Sequence, residues 1–158
     1  MQAVRETLAK TDDGAINALE KAWRAGKLSW VRTPYWRKDA DGKSWFGRGL
    51  VQTTHKSNYQ KLCLLIGVDL VKNPSKALEI PTAVQILITG MALGSFTEKS
   101  LSGYITDKRA DYEGARRIVN GTDRAALIAG YAVAFEKALK AGSYSPKPTP
   151  SACIAPSL

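Results

Sequence analysis

The sequence predicts a mainly α-helical domain with one small β-hairpin. Apolar residues recur at helical spacing in segment after segment, as in Ile16, Leu19 and Trp23 or Leu127, Tyr131 and Phe135. Glycines stand just past these segments, at 26, 67, 94, 121 and 142, where a chain without Cβ closes a helix. Aromatic arms flank an Asp-Gly turn in residues 35–46, the pattern of a hairpin.

Taken in order, Thr11-Asp12-Asp13 opens the first helix, because these side chains cap free N–H groups and complement the helix dipole. Ile16, Leu19 and Trp23 form its buried stripe and Gly26 ends it. Thr33-Pro34 is a break. Tyr35-Trp36-Arg37 and Lys43-Ser44-Trp45-Phe46 are the hairpin arms. Trp36 and Trp45 suit either of two roles, a platform for sugar rings or cross-strand packing. A second helix is expected from about Thr54 to Ile66, with Tyr59, Leu62, Cys63 and Ile66 on one face. Thr53 or Thr54 is its expected cap, and His55 is expected to be a helix-start residue. Asn73-Pro74-Ser75 begins a short helix. Pro81 fits the first turn of the next, which runs to about Leu93 and is apolar nearly all round, so it is expected to be the most buried. Residues 96–108 read as a loop or short helix around Leu101 and Tyr104. Ala110 to Val119 is expected to be helical with Tyr112, Ala115 and Val119 inward. Thr122-Asp123 caps the last helix, whose inward stripe is Leu127, Ile128, Tyr131, Phe135, Ala138 and Leu139.

The length suits one domain. Residues 143–158 hold four prolines and no helical period, and are expected to form a flexible tail after a domain spanning 1–142. No apolar run reaches the ~18 residues of a membrane span, and no signal peptide opens the chain. The protein is therefore expected either to be cytoplasmic when made or to have an export segment that is absent from this sequence. Two cysteines and one histidine, without metal-ligand spacing, indicate neither a zinc site nor a disulfide framework, and no cofactor is implied. The net charge of +9 favours polyanions, but the basic residues are scattered without a recognition-helix pattern, so no nucleic-acid partner is expected.

The densest polar stretch is residues 45–59, WFGRGLVQTTHKSNY. Gly47 and Gly49 permit backbone angles or close approaches that a Cβ forbids. Gln52, Thr53, Thr54, His55 and Asn58 supply hydrogen-bonding groups without fixed charge, which suits a hydroxyl-rich ligand better than a phosphate.

Gly47-Arg48-Gly49-Leu50-Val51-Gln52-Thr53-Thr54, then Asn58-Tyr59, Gly67-Val68-Asp69-Leu70, Asn73-Pro74 and the later Ile118-Val119-Asn120-Gly121 resemble, in order, the signature of family 19 glycoside hydrolases. These are chitinases and related endolysins, and the resemblance, over roughly residues 1–140, is closest to the endolysin-like branch. It implies a lysozyme-like helical fold with the hairpin beside a cleft. It implies inverting hydrolysis of β-1,4 linkages in peptidoglycan or chitin, by two carboxyls about 6.5–9.5 Å apart. The resemblance makes Glu6 the base-like carboxylate and Thr54 the hydroxyl that helps hold the attacking water. It makes Gln52, Asn58 and Asn120 sugar-binding residues, with Arg124 and Trp45 as further substrate contacts. Glu6 also reads simply as a surface acid paired with Arg5 or Lys10, and Arg48 as a loop pin paired with a carboxylate or a helix end.

The family's general acid is the Glu of a His-Glu-Thr motif, which has no counterpart in this sequence. The domain is therefore expected to be incomplete at its N-terminus, with apolar surface exposed around the Ile16, Leu19 and Trp23 stripe and the 83–93 helix, and self-association favoured. Asp12, Asp13, Asp39 or Asp41 could replace the acid only if the fold carries one across the cleft. The alternative expectation is a glycan-binding remnant that is catalytically weak or inactive.

Overall fold

A computed structural model describes residues 3–142; the Pro-rich segment 143–158 and Cys153 within it lie outside the described residues. The order is β1 (Val4–Arg5), α1 (Asp12–Arg24), β2 (Arg48–Gly49), α2 (Lys56–Ile66), α3 (Ile80–Ala92), β3 (Ile105–Thr106), β4 (Arg109–Ala110), α4 (Tyr112–Ala115), α5 (Arg117–Asn120) and α6 (Ala125–Ala141). Tight 3-10 turns occupy Glu6–Leu8, Pro74–Leu78 and Leu101–Gly103. The fold is thus mainly α.

Local signals place most helix ends. The Thr11 hydroxyl accepts from the Gly14 N–H, and Gly67 closes α2 in the left-handed conformation at φ 69°. The Asn73 side chain accepts from the Ser75 N–H with Pro74 in the first turn. Two apolar clusters hold the elements together. Ala15, Leu19, Trp36 and Phe46 fasten α1 to the 35–46 segment. Tyr59, Leu62 and Ile66 of α2 meet Trp45, Leu70, Ala77 and Ile86. Each large side chain buried this way contributes about 1.5–3 kcal/mol. Cys63 is partly buried beside this cluster, and its sulfur accepts from the Leu70 N–H at 3.1 Å.

The expected hairpin over 35–46 does not form a strand ladder. The segment folds back through the Trp45 N–H to the Tyr35 carbonyl (3.1 Å) and the Asp39 N–H to the Lys43 carbonyl (2.8 Å). The Asp39 carboxylate accepts from the backbone of Asp41 and Lys43 and from the Trp45 indole. A side chain that satisfies the turn's own N–H groups competes with a ladder for them. The antiparallel pairs lie elsewhere: β1 with β2, Val4 opposite Gly49, and β3 with β4, Ile105 opposite Ala110.

Three inward faces also differ. In α3, Thr82, Ala83, Ile86 and Gly90 are buried while Ile88 is 62% exposed, so this is not an all-round buried helix. Between 112 and 120 the helix is broken in two, and Gly114 and Ile118 are buried rather than Tyr112, Ala115 and Val119. The α6 stripe is open: Phe135 is 72% exposed, Leu127, Tyr131 and Leu139 are exposed too, and Ala125 is the helix's buried residue. Arg124, left-handed at φ 52°, starts α6 in place of a Thr122 or Asp123 side-chain cap. Leu19 is buried and Ile16 and Trp23 are half-buried, so the exposed apolar surface lies mainly on α3 and α6, with Leu8, Trp30 and Leu64 of α2 besides, and not on α1.

Candidate functional site

The pairing of β1 with β2 delivers Glu6 to Gly47. The Glu6 N–H donates to the Gly47 carbonyl at 2.6 Å, and the Gly47 N–H donates to Glu6 Oε2 at 2.7 Å. The Tyr35 hydroxyl donates to Glu6 Oε1 at 2.8 Å. Both carboxylate oxygens are therefore held, and neither Arg5 nor Lys10 holds them, since Arg5 pairs with Asp12 at 2.6 Å. Burial pushes the Tyr35 phenol above its ordinary value, and the Glu6 carboxylate adds to it, so Tyr35 stays a hydrogen-bond donor. Thr7 and Leu8, immediately after Glu6, have φ of 64° and 58°. Such left-handed non-glycine residues cost about 1–3 kcal/mol each and cluster at functional sites.

Gly47 is a glycine because a Cβ there would lie 2.9 Å from Gln52 Oε1 and 3.3 Å from Glu6 Oε2. The Gln52 amide and the Glu6 carboxylate thus share one glycine's empty side. The Gln52 amide nitrogen is committed to the carbonyls of Val4 and Gly49, both at 2.9 Å, leaving its oxygen as the group to offer a ligand. Gly49, at φ 86°, passes so near the Pro74–Leu78 turn that a Cβ would meet the Ala77 carbonyl at 2.7 Å. Between the two glycines, Arg48 is buried and pairs with Asp12 at 2.7 Å, the loop pin that its surroundings in the sequence suggested.

Thr54 stands where two recesses meet. One, of about 230 Å³, is lined by Gln52, Thr53, Thr54 and Asn58 together with Ser95, Phe96 and Val119. The other, more open and of about 450 Å³, is lined by Trp30, Arg32, Thr33, Tyr35, Thr54 and His55. The Asn58 amide donates to the Thr54 carbonyl at 2.8 Å. Thr53 Oγ1 is buried without a hydrogen-bond partner among the described residues. His55 begins α2 at φ 65°, with its ring 4.6 Å from that of Tyr35.

The structure therefore brings Gln52, Thr54 and Asn58 to one recess. Glu6 lines neither recess; it is held beside them, against Gly47 and Tyr35. It removes Trp45, which is 5% exposed, packs edge-on against Tyr59 and donates to Asp39; its ring is core and no sugar platform. Trp36 is equally buried. Asn120, exposed at the end of α5, and Arg124, at the start of α6, line neither recess, whereas the neighbouring Val119 does.

None of Asp12, Asp13, Asp39 and Asp41 lines either recess, and each is ion-paired, with Arg48 and Arg5, Lys38, Lys56 and Lys56 respectively. Burial raises the Asp12 carboxyl, but hydrogen bonds from Arg5 and Arg48 outweigh it and hold it below the ordinary range. The Lys43 N–H, with Trp45 and Lys56, holds Asp39 down at about 2. Asp12 and Asp39 are therefore poor proton donors at neutral pH.

Two contributors escaped the sequence pattern. Trp30 lies past Gly26, off the α1 stripe, and a tryptophan outside every apolar period was the available signal. Tyr35 reads in the sequence as an aromatic of a hairpin arm, and not as a partner of Glu6. Among the described residues no group of three or more His, Cys, Asp or Glu side chains gathers. No family model matches the chain and no solved structure matches it, so the likeness to family 19 rests on the motifs themselves.

Proposed function

We propose that the chain is a glycoside hydrolase of the endolysin or chitinase kind, acting on β-1,4-linked N-acetylated sugars of peptidoglycan or chitin. What supports it best is the Glu6 carboxylate, fixed by the Gly47 N–H and the Tyr35 hydroxyl beside Gln52. In this reading Glu6 takes the proton of the attacking water, Thr54 steadies that water, and Gln52 and Asn58 hold the sugar. The protein is made in the cytoplasm and meets the wall after release or export. Among the described residues no helix is long and apolar enough to cross a membrane.

One observation favours a second reading. The aspartates that could stand in for the proton donor are all ion-paired away from the recesses. A site with Glu6 as its one catalytic carboxylate binds glycan and turns it over weakly or not at all. Clearance of outer-membrane-stripped Gram-negative cells by the chain and by Glu6→Gln separates the two. Hydrolysis predicts a loss of about 10²–10⁴-fold in the variant; full activity in Glu6→Gln removes the catalytic assignment. Saturable glycan binding with no clearance by either protein supports the second reading.

A further inference from the structure

The open recess on the far side of Thr54 from Asn58 has a composition of its own. Trp30 is 73% exposed, the only tryptophan among the exposed large apolar residues. Leaving so large a ring in water forfeits the stabilisation its burial would bring. Arg32 lines the same recess and has no ion-pair partner among the described residues, unlike Arg5, Arg24, Arg37, Arg48, Arg109 and Arg116. Among the described residues no acid lines the recess, and both oxygens of nearby Glu6 are engaged by Tyr35 and Gly47. The remaining lining is Val31, the Tyr35 ring, and hydroxyl and imidazole groups from Thr33, Thr54 and His55. The recess that holds Gln52 and Asn58 has no exposed aromatic platform of this kind; its cation, Lys61, donates to the Ser95 carbonyl.

We infer that the Trp30–Arg32 recess is a second sugar subsite, continuous with the first through Thr54, that takes an N-acetylated sugar bearing a carboxylate on its side chain. The apolar face of a pyranose lies on the Trp30 ring. The guanidinium of Arg32, a planar fork of donors, pairs with the carboxylate. The two halves of the cleft then differ in what they accept: a neutral sugar on the Gln52–Asn58 side, an acidic one on the Trp30–Arg32 side. This inference rests on the glycan reading above and narrows it from chitin toward an acidic wall glycan.

The test is binding to the full chain, followed by calorimetry and by protection of Trp30 fluorescence from acrylamide. The probes are chitotetraose, an alternating N-acetylglucosamine–N-acetylmuramic acid tetrasaccharide with free lactyl carboxylates, its lactyl amide, and the form carrying stem peptides. The acidic tetrasaccharide binds about tenfold tighter than chitotetraose or the amide, the weight of one charge-assisted hydrogen bond. Arg32→Gln erases that preference and leaves chitotetraose affinity unchanged, while Trp30→Ala weakens every probe. Both side chains are exposed, so neither variant threatens the fold. A preference for the peptide-bearing form over the amide, also lost in Arg32→Gln, puts the recognised carboxylate on the peptide and supports the same subsite. Equal affinity for all four probes, or a preference that survives Arg32→Gln, overturns the subsite while leaving the glycan reading standing. Failure of every oligosaccharide to bind overturns both.

Discussion

Asp12→Asn and Arg48→Met disturb one buried fastening from its two ends, and the structure ranks them in an unexpected order. The Arg48 side chain is 2% exposed and Asp12 is 36% exposed. The guanidinium donates to Asp12 (2.7 Å), the Ser44 carbonyl (2.9 Å) and the Tyr59 hydroxyl (3.2 Å), and lies 3.7 Å from the centre of the Phe46 ring. Asp12→Asn leaves the cation in place without its counter-charge. Breaking a buried pair this way costs about 3–5 kcal/mol; solvent at the Asp12 end brings the expectation to about 2–4 kcal/mol. Arg48→Met removes the buried charge instead. Phe46 keeps a donor in the Tyr59 hydroxyl at 3.0 Å, and Asp12 keeps Arg5. The Ser44 carbonyl is the acceptor left empty, a loss of about 1–3 kcal/mol. Asp12→Asn is thus expected to be the more harmful change, and adding Arg48→Met to it to recover part of the loss. Urea unfolding followed by the fluorescence of buried Trp36 and Trp45 measures both as midpoint shifts at constant slope. A 3 kcal/mol loss lowers Tm by about 6–12 °C for a chain of this size. If Arg48→Met proves the worse by more than about 1 kcal/mol, packing of the guanidinium, not its charge balance, holds the site together, and the reasoning fails.

Acid should weaken the fold in a defined window. Arg37 and the Trp36 indole hold the Glu20 carboxyl at about 2, the Lys43 N–H holds Asp39 at about 2, and Asp12 is lowered by its arginines against the effect of burial. Depressed folded-state values contribute stability that is present above the unfolded values near 4 and lost as pH falls through the folded ones. The urea midpoint is therefore steady above about pH 5 and declines from about pH 4 toward 2, and Glu20→Gln flattens part of that decline. Gly47→Ala places a methyl against Gln52 Oε1 and Glu6 Oε2, which must move apart. On the proposed hydrolysis, glycan turnover then falls by about ten- to a hundredfold, as small misplacements of reacting groups cause. An unchanged rate in a cell-clearance assay would mean that Glu6 and Gln52 do not act from these positions.

Some of the candidate site is legible in the sequence alone. Gln52, Thr54 and Asn58 lie within one short polar stretch, and local sequence alone keeps them close. Glu6 was named on resemblance, and its place beside Gly47 depends on a contact across 41 residues. No periodicity encodes such a contact. Trp45 shows the limit from the other side: an aromatic beside a turn fits a sugar platform and a core equally well until its neighbours are known. Trp30, by contrast, was passed over because it belongs to no apolar period, and that same property leaves it in the cleft.

What the sequence by itself determined is local. Thr11, Asn73 and Gly67 mark helix ends because a hydroxyl, an amide oxygen and a missing Cβ act within one turn of the chain. The apolar periods likewise foretold that α1, α2, α3 and α6 would be helices. Tertiary structure decided which of their apolar faces found a partner. The α2 face met Trp45 and Ile86, whereas Ile88 of α3 and Phe135 of α6 stayed in water. A hydrophobic period records which side of a helix gains from cover. Whether cover arrives is set by elements far along the chain, and so is the meeting of Glu6, Tyr35 and Gly47.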